Sequence, residues 1–293
     1  MGKNLRVACA ILMAAASCAA NAQTVNISTN GRVAPANPIT FNGGVGVKIK
    51  GTVQNAVIGP AIFLNAAMTV WSDPAAVVSN MTMKGVFISD TWREGIRITG
   101  NADGVQIQDF NIAMRNIPQT NDQIPTGIVM FGGKNILIQR GSVSGFKTIP
   151  IPNTYANGDG VAAEKAVDRL TIEDVDSSDN SDGGFDLKST NTVLRNLSAS
   201  RNYRSYRFWG TAAATTLTST DPVNAHVWAG GGAVVVIDKL IATSKTNALI
   251  LYVDGAKSVT IKSCELSVPP GTKLMYKATA ATVVTLGAGC KLP

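Results

Sequence analysis

The apolar residues of this chain recur in short runs, and corresponding runs follow one another with a regular period. Gly160-Val161 opens one run, and Gly184-Phe185 opens the next. Leu170-Thr171-Ile172 is echoed in the same way by Thr192-Val193-Leu194. The runs alternate like strands, and no helical pattern separates them. A period in the low twenties built from short strands is typical of a β-solenoid.

The repeat continues on both sides of this central stretch. Asn135 to Ile138 matches Asp168 to Ile172, and three evenly spaced C-terminal runs begin at Val234, Ser258 and Thr282. Even spacing without helices favours parallel coils over a sandwich of hairpins. The sequence therefore predicts an all-β, single-domain, right-handed parallel β-helix.

The segment 1–22 reads as a signal peptide. Lys3 and Arg6 form its charged start, an apolar run follows, and Ala20-Asn21-Ala22 fits a cleavage site. A lipobox at Cys18 is a weaker alternative, because Ala15 stands where leucine is usual. We predict a secreted or periplasmic protein that does not span a membrane, since the apolar run is too short.

The mature domain, 23–293, divides into an irregular part and a regular part. Residues 23–80 are expected to form an N-terminal cap and the first coils, and 81–293 the regular coils. Three loops are predicted, over 115–126, 147–158 and 210–232. The first two precede corresponding strands, so we expect them to lie side by side and wall a groove.

Charge limits the partners only weakly. The chain has 26 Lys and Arg against 19 Asp and Glu, a net charge of +7, or +5 without Lys3 and Arg6. This balance is compatible with a slightly basic soluble protein and also with attraction to an acidic polymer. The bases are scattered and the chain is exported, so nucleic acid is not an expected partner. We expect a monomer.

Cysteine and histidine counts restrict the chemistry. Cys264 and Cys290 are the two cysteines left in the mature chain, and we predict that they form a disulfide. The chain has one histidine, His226, which argues against His-based triads and His-rich zinc sites. Acid–base chemistry must then come from Lys, Arg, Tyr, Asp or Glu.

Ionisable residues concentrate in the central stretch. If Gly160-Val161 aligns with Gly184-Phe185, then Phe185 and Leu187 point inward while Asp186 and Lys188 point outward. Glu164 then lies one coil below Lys188. We predict an exposed file of mixed charge on consecutive coils, completed by Asp159, Asp182, Arg204 and Arg207. Each residue alone fits a solvated charge ladder, but the set beside two loops favours a functional site.

Two further features border this file. Tyr155 ends the second predicted loop and is expected to direct its phenol at the face that carries Lys188. Asp159, Asp182 and Asp186 offer an alternative role as calcium ligands, although Gly183 stands where another Asp would strengthen that case. Calcium is therefore the one cofactor that we consider, and we do not predict a requirement for it.

Asparagines recur near one turn of the coil. We expect the side chains of Asn157, Asn180, Asn202 and Asn247 to stack and bond the turn backbone, which is a structural role.

The central motifs resemble those of known enzymes. DNSDGGFDLKS and RNYRSYRFWG, preceded by NGDG, resemble exported right-handed β-helix polysaccharide lyases. They look closest to polysaccharide lyase family 31, which includes alginate lyases, and are more distantly similar to family 9 pectate lyases. The resemblance covers roughly residues 85–265, and its specific part is 150–210.

The resemblance implies roles for particular residues. In family 31 alginate lyases the base and acid are a Lys and a Tyr, which implies Lys188 and, by a looser match, Tyr155. The catalytic Lys of family 9 has no clear counterpart here, Arg207 being nearest, and Gly183 departs from that family's calcium site.

The implied reaction is β-elimination on a 4-linked uronate such as alginate. Lys188 would take the C5 proton and Tyr155 would protonate the departing O4, or the two roles would be exchanged. Arg204, Arg207 or calcium would neutralise the substrate carboxylate. A uronan C5-epimerase, a pectate lyase and a non-catalytic carbohydrate-binding β-helix remain alternatives. A glycosidase using Asp182 and Asp186 is weaker.

Overall fold

The computed structural model describes residues 23–27, 31–114, 124–149, 152, 155–279 and 281–292. Over these residues the chain forms strands, turns and irregular segments without an α-helix. None of the described residues belongs to a helix long and apolar enough to cross a membrane. The predicted signal peptide, 1–22, lies outside the described residues, as do 115–123 of the first predicted loop and 150, 151, 153 and 154 of the second.

Twenty-nine strands are present in this part of the chain. They are β1 (Val25–Ile27), β2 (Arg32–Val33), β3 (Ile39–Thr40), β4 (Val45–Ile49), β5 (Thr52–Gln54), β6 (Val57–Ile58), β7 (Ala61–Leu64), β8 (Met68–Ser72), β9 (Val77–Ser79), β10 (Thr82–Lys84), β11 (Val86–Ser89), β12 (Glu94–Ile98), β13 (Asn101–Asp103), β14 (Gln106–Ala113), β15 (Thr126–Met130), β16 (Gly133–Ser144), β17 (Asp159–Ala163), β18 (Val167–Ser178), β19 (Gly183–Leu187), β20 (Thr192–Arg195), β21 (Leu197–Ser200), β22 (Arg204–Phe208), β23 (Thr211–Thr220), β24 (Ala225–Gly230), β25 (Val234–Thr243), β26 (Leu249–Asp254), β27 (Ser258–Ser267), β28 (Met275–Lys277) and β29 (Val283–Ala288).

The strands form two parallel sheets that wind into a right-handed β-helix of about ten turns, which confirms the predicted fold class. The first sheet has 11 strands, in the order β1-β4-β8-β12-β15-β17-β19-β22-β24-β26-β28. The remaining 18 strands form the second sheet. Each coil therefore contributes one strand to the first sheet, so equivalent residues of successive coils lie in columns along the axis.

The core lies between the two sheets and consists mainly of apolar side chains. Val161 pairs with Phe185, as the sequence alignment predicts, and Phe185 pairs with Tyr206. The rings of Phe185 and Tyr206 stack with centroids 5.4 Å apart. All three side chains are fully buried. Inward positions therefore stack apolar residues coil upon coil, which sets the register of the outward positions.

A column of left-handed residues bends the second sheet. Asp109, Arg140, Asp174 and Asn196 occupy equivalent positions of successive coils, with φ between 52° and 53°. Arg140 Nε donates to Asp109 Oδ1 at 2.7 Å, so the column is also tied by an ion pair. Asn and Asp tolerate this backbone region better than most residues.

Of the four asparagines predicted to stack, two do so, Asn180 and Asn202. Asn202 Oδ1 accepts hydrogen bonds from Asn180 N at 3.0 Å and Asn180 Nδ2 at 2.9 Å. Asn157 takes part through its carbonyl, which accepts from Thr148 Oγ1. Asn247 Oδ1 accepts from Thr272 Oγ1 at 3.3 Å instead.

The prediction of a loop over 210–232 is wrong. Residues Thr211–Thr220 and Ala225–Gly230 form β23 and β24. Ala212, Ala214, Leu217 and Ser219 are buried while the intervening residues are more exposed, and threonine favours strands. The segment is low in complexity because small residues suffice to fill this part of the core.

Two details near the C-terminus concern register and crosslinking. Ser258 pairs with Val283 rather than with Thr282, so the last coil is one residue longer than predicted. The predicted disulfide between Cys264 and Cys290 is confirmed, with 4.7 Å between the Cα atoms. It joins β27 to the segment that follows β29.

Candidate functional site

A groove lies on the outer face of the first sheet, over β12, β15, β17, β19 and β22. One register column crosses it and contains Arg97, Val129, Ala162, Asp186 and Arg207. Val129 and Ala162 have short side chains between longer charged ones, so the surface sinks there. The resulting groove has a volume of about 420 Å³.

Three carboxylates of the groove surround one guanidinium. Arg207 Nη1 lies 2.5 Å from Asp182 Oδ2, 3.6 Å from Asp186 Oδ2 and 3.9 Å from Asp159 Oδ1. Burial opposes the charge of Arg207, but these carboxylates outweigh it and raise its pKa. The sequence correctly groups these four residues, but Asp159, Asp182 and Asp186 are buried rather than exposed as predicted.

Burial raises the pKa of two of these carboxyls. Desolvation, reinforced by the negative charge of Asp182, raises the pKa of Asp159. Desolvation likewise raises the pKa of Asp182, although Arg207 opposes the shift. A buried carboxyl with a raised pKa accepts a proton more readily than an exposed one does. Asp182 is therefore suited to hold a proton for a neighbouring group.

Tyr155 is that neighbour. Its hydroxyl donates to Asp182 Oδ1 at 2.6 Å and accepts from Arg204 Nη1 at 2.5 Å. Burial of the hydroxyl and the charge of Asp182 raise the pKa of the phenol. The residue as a whole is 48% exposed and lines the groove. A neutral phenol, backed by a carboxylate and a guanidinium, is thus presented to whatever fills the groove.

Lys188 lies on the C-terminal side of the groove floor. Its Nζ donates to Glu164 Oε1 at 2.6 Å, as the predicted stacking of these residues requires, and lies 3.6 Å from Asp186 Oδ2. Partial burial would lower the pKa of Lys188, but Asp186 and Glu164 outweigh it and raise the pKa. In the resting protein Lys188 is therefore an ammonium ion.

The fit of a calcium ion can be judged from Arg207 and Gly183. The Arg207 guanidinium lies among Asp159, Asp182 and Asp186, where a shared cation would be bound. A Cβ at position 183 would lie 2.7 Å from Asp159 Oδ1, so a further Asp has no room there. Within the described part of the chain, no group of three His, Cys, Asp or Glu residues is arranged to hold a metal ion. As arranged, these carboxylates do not fit calcium.

The N-terminal wall of the groove contains residues that the sequence motifs do not indicate. Arg97 Nη2 donates to Glu94 Oε1 at 2.6 Å, and Arg97 Nε lies 2.6 Å from Glu94 Oε2. The Arg97 guanidinium lies 4.8 Å from the centroid of the Phe131 ring. Desolvation raises the pKa of Glu94. The Glu94 and Arg97 pair within a single strand was the available signal, but it lies far before the motif-bearing stretch in the sequence.

The opposite wall contains Trp209, which was not among the predicted site residues and whose Nε1 donates to Asp186 Oδ1 at 2.7 Å. Trp209 packs against Trp228 with ring centroids 4.3 Å apart. The Arg207 guanidinium lies 5.6 Å from the Trp209 ring and 5.8 Å from the Trp228 ring. The motif contains Trp209, but nothing in the one-dimensional pattern shows that it turns towards Asp186.

His226 has no place in the groove. It is fully buried, and its Nδ1 lies 2.7 Å from the hydroxyl of Ser219, which donates to Ser205 Oγ at 2.7 Å. Burial lowers the pKa of His226 to about 4. This histidine is therefore a neutral component of the core, and the groove operates with Lys, Arg, Tyr and carboxyl groups.

Comparison with known proteins finds similar folds among solved structures but no matching family. No protein-family model matches the sequence, and no curated protein matches it. In structure the chain is similar to the periplasmic alginate epimerase AlgG, with a TM-score of 0.54 and 12% identity over 92% of this chain and 84% of that one. It is also similar to an alginate lyase from Paenibacillus sp. str. FPU-7, with a TM-score of 0.52 and 14% identity over 89% of each chain.

A weaker likeness extends to a tailspike protein. The Dettilon tailspike matches with a TM-score of 0.48 and 12% identity, and the chain spans 61% of its length. At these identities the likeness is one of fold, the right-handed parallel β-helix. The resemblance to lyase family 31 stays a prediction. The likeness of fold assigns no role to the groove residues.

Proposed function

We propose that this chain is an exported polysaccharide lyase that cleaves a 4-linked uronan, such as alginate, by β-elimination. The observation that carries the proposal is that one groove contains two proton-transfer groups. One is a phenol hydrogen-bonded to a buried carboxyl, and the other is an ammonium ion paired with a carboxylate. Tyr155 with Asp182 forms the first, and Lys188 with Glu164 forms the second. Two groups that exchange protons, set in one groove, are what an elimination requires.

The protonation states favour one of the two assignments that the sequence leaves open. Lys188 is charged at rest, so it is suited to protonate the departing O4 and not to remove a proton. Tyr155 is neutral at rest but donates to Asp182, whose raised pKa makes it a proton acceptor. Tyr155 therefore takes the C5 proton while its own proton passes to Asp182.

The step balances without an external reagent. The C5–H bond breaks, its electron pair forms the C4=C5 double bond, and the C4–O4 bond breaks as Lys188 gives a proton to O4. Asp182 ends protonated and Lys188 neutral, and exchange with water restores both. The neighbouring carboxylates of Glu164 and Asp186 favour reprotonation of Lys188. Arg204 and Arg207 stabilise the charge that develops on the substrate carboxylate.

A uronan panel tests the activity directly. Incubation with alginate, pectate and a neutral glucan should give ultraviolet absorbance from the conjugated C4=C5 bond with a uronan only. Tyr155→Phe and Lys188→Ala should each lower kcat about 10²–10⁴-fold with little change in polymer affinity. Lys188→Arg should not restore activity, because a guanidinium remains protonated and has a different shape.

The results also separate the alternatives. If both variants retain more than about a tenth of the wild-type kcat, the proton-transfer residues are misassigned. Exchange of the C5 hydrogen with solvent deuterium, without ultraviolet absorbance, would identify a C5-epimerase instead. An unchanged polymer that still binds would identify a non-catalytic carbohydrate-binding protein.

A further inference from the structure

We propose that Phe131 and Arg97 form a binding site for a second uronate residue of the polymer, on the N-terminal side of the reacting sugar. This inference rests on the proposed function, because it assigns a substrate residue to the same groove. The two residues carry no role in the proton transfers above. They distinguish an acidic sugar from a neutral one.

The position of Phe131 is fixed by register. Met130, Ala163, Leu187 and Phe208 pair in one column, so the residues that follow them form the next column along the groove: Phe131, Glu164, Lys188 and Trp209. Neighbouring coils lie about 4.8 Å apart, so Phe131 is two coils, roughly 10 Å, from Lys188. A sugar on Phe131 is thus close to the reacting sugar but does not overlap it.

Phe131 is a large apolar residue that is exposed in the groove instead of being buried in the core. Its side chain lines the groove and is 43% exposed, although it follows directly on the fully buried Met130. The C–H face of a pyranose ring is apolar and can cover such a ring, which removes apolar surface from water on both sides. The exposed phenyl ring of Phe131 therefore provides the surface on which the sugar ring packs.

Arg97 supplies the recognition of charge. Glu94 accepts a hydrogen bond from Arg97 Nη2 and forms an ion pair with the guanidinium, which holds it next to Phe131. A guanidinium has five N–H donors, and no other acceptor among the described residues takes the remaining ones. The Arg97 side chain is 21% exposed in the groove. A guanidinium held beside an apolar platform, with N–H donors that no described residue accepts, suits a carboxylate carried by a ring.

The direct test measures binding without turnover. In a Tyr155→Phe background, affinity electrophoresis in alginate, pectate and neutral glucan gels should show weaker retention by uronans after Phe131→Ala, about fivefold. The double variant Glu94→Gln/Arg97→Gln avoids leaving Glu94 buried without a partner. It should weaken uronan binding about tenfold and leave binding to the neutral glucan unchanged.

The matched control is Phe87→Ala, a similarly exposed phenylalanine on β11 of the second sheet, which should bind like the parent. Thermal melting of every variant verifies folding. In the active protein Phe131→Ala should raise KM with little change in kcat. Retention within twofold of the parent for both groove variants would overturn this site.

The outcomes keep this inference apart from the proposed activity. If uronans bind and the binding depends on Phe131 and Arg97, but no substrate is cleaved, then the activity fails and the site stands. If uronans are cleaved with unchanged KM in both variants, the activity stands and the site fails.

Discussion

At the scale of single residues, the charged side chains of the groove are held in place by a chain of ion pairs and hydrogen bonds. Lys188 is held by Glu164 and Asp186, and Asp186 in turn accepts from Trp209. Gly183 donates its N–H to Asp159 Oδ1 at 2.7 Å, and a side chain there would collide with that oxygen. What looks in the sequence like a missing calcium ligand is the residue that allows Asp159 to be buried.

Glu164 offers a test of the assigned proton transfers at this scale. Glu164→Gln removes a negative charge 2.6 Å from Lys188 Nζ and should lower the pKa of Lys188. If Lys188 is the acid, activity is lost as pH rises through its pKa, so the alkaline limb of kcat/KM should move to lower pH. The pH profile of initial rates on the cleaved uronan measures this.

The opposite assignment gives a different profile. If Lys188 were the base, the acidic limb would move instead, and the variant would gain activity at neutral pH. The matched control is Glu173→Gln, which removes a carboxylate that pairs with Arg195 at 3.8 Å on the second sheet. Its profile should coincide with that of the unmodified protein, because exposed pairs contribute little.

At the scale of strands and turns, inward positions and the pairing of Glu164 with Lys188 could be predicted, whereas the other contacts on the outer face could not. The alignment of Val161 with Phe185 and of Glu164 with Lys188 follows from the period alone, because stacking of apolar residues sets the register. The burial of Asp182 and the contact of Arg97 with Phe131 do not follow from it. They depend on which way long side chains turn, and a repeat period contains no such information.

The prediction of a loop over 210–232 was wrong for a related reason. Ala, Thr and Ser carry little hydrophobic contrast, so a buried strand made of them looks like a flexible linker. The structure shows that Ala212 and Ala214 pair with Val235 and Ile237 of the next coil, which supply the missing bulk. A low-contrast strand is therefore recognisable only together with its neighbour.

The stacked asparagines provide a prediction at the scale of one turn. Asn202→Ala would remove the side-chain acceptor of the buried backbone N–H of Asn180 and a hydrogen bond that the carbonyl of Ser177 accepts. Each unsatisfied buried group costs about 1–3 kcal/mol, so the free energy of unfolding should fall by about 2–4 kcal/mol. Urea denaturation followed by circular dichroism measures it.

The control for this change is another asparagine of the predicted stack. Asn247 is exposed, and its side chain accepts one long bond from Thr272. Asn247→Ala should change stability by less than about 0.5 kcal/mol. Equal destabilisation by both substitutions would show that the buried pair has no special role.

At the scale of the whole molecule, the solenoid makes stability local. Each coil contacts mainly the coils before and after it, so stability is a sum of coil and interface contributions. The groove is built over β12 to β22, and β24, β26 and β28 follow it in the first sheet. Changes at the C-terminal end should therefore loosen that end and leave the groove in place.

The Cys264–Cys290 disulfide tests this locality. It closes a loop of 26 residues around the last coil, so in the chain-entropy treatment its loss costs about 3.5 kcal/mol. In the Cys264→Ser/Cys290→Ser variant, hydrogen exchange should speed up in β28 and β29, which form the last coil of the described residues. Exchange in β17 and β19, and turnover of the uronan, should stay as in the unmodified protein.

Ser263→Ala on the same strand β27 is the matched control, because it removes an exposed hydroxyl without removing the crosslink. If exchange rises equally in the groove strands, the β-helix unfolds as one cooperative unit, and the disulfide stabilises the groove as well as the last coil.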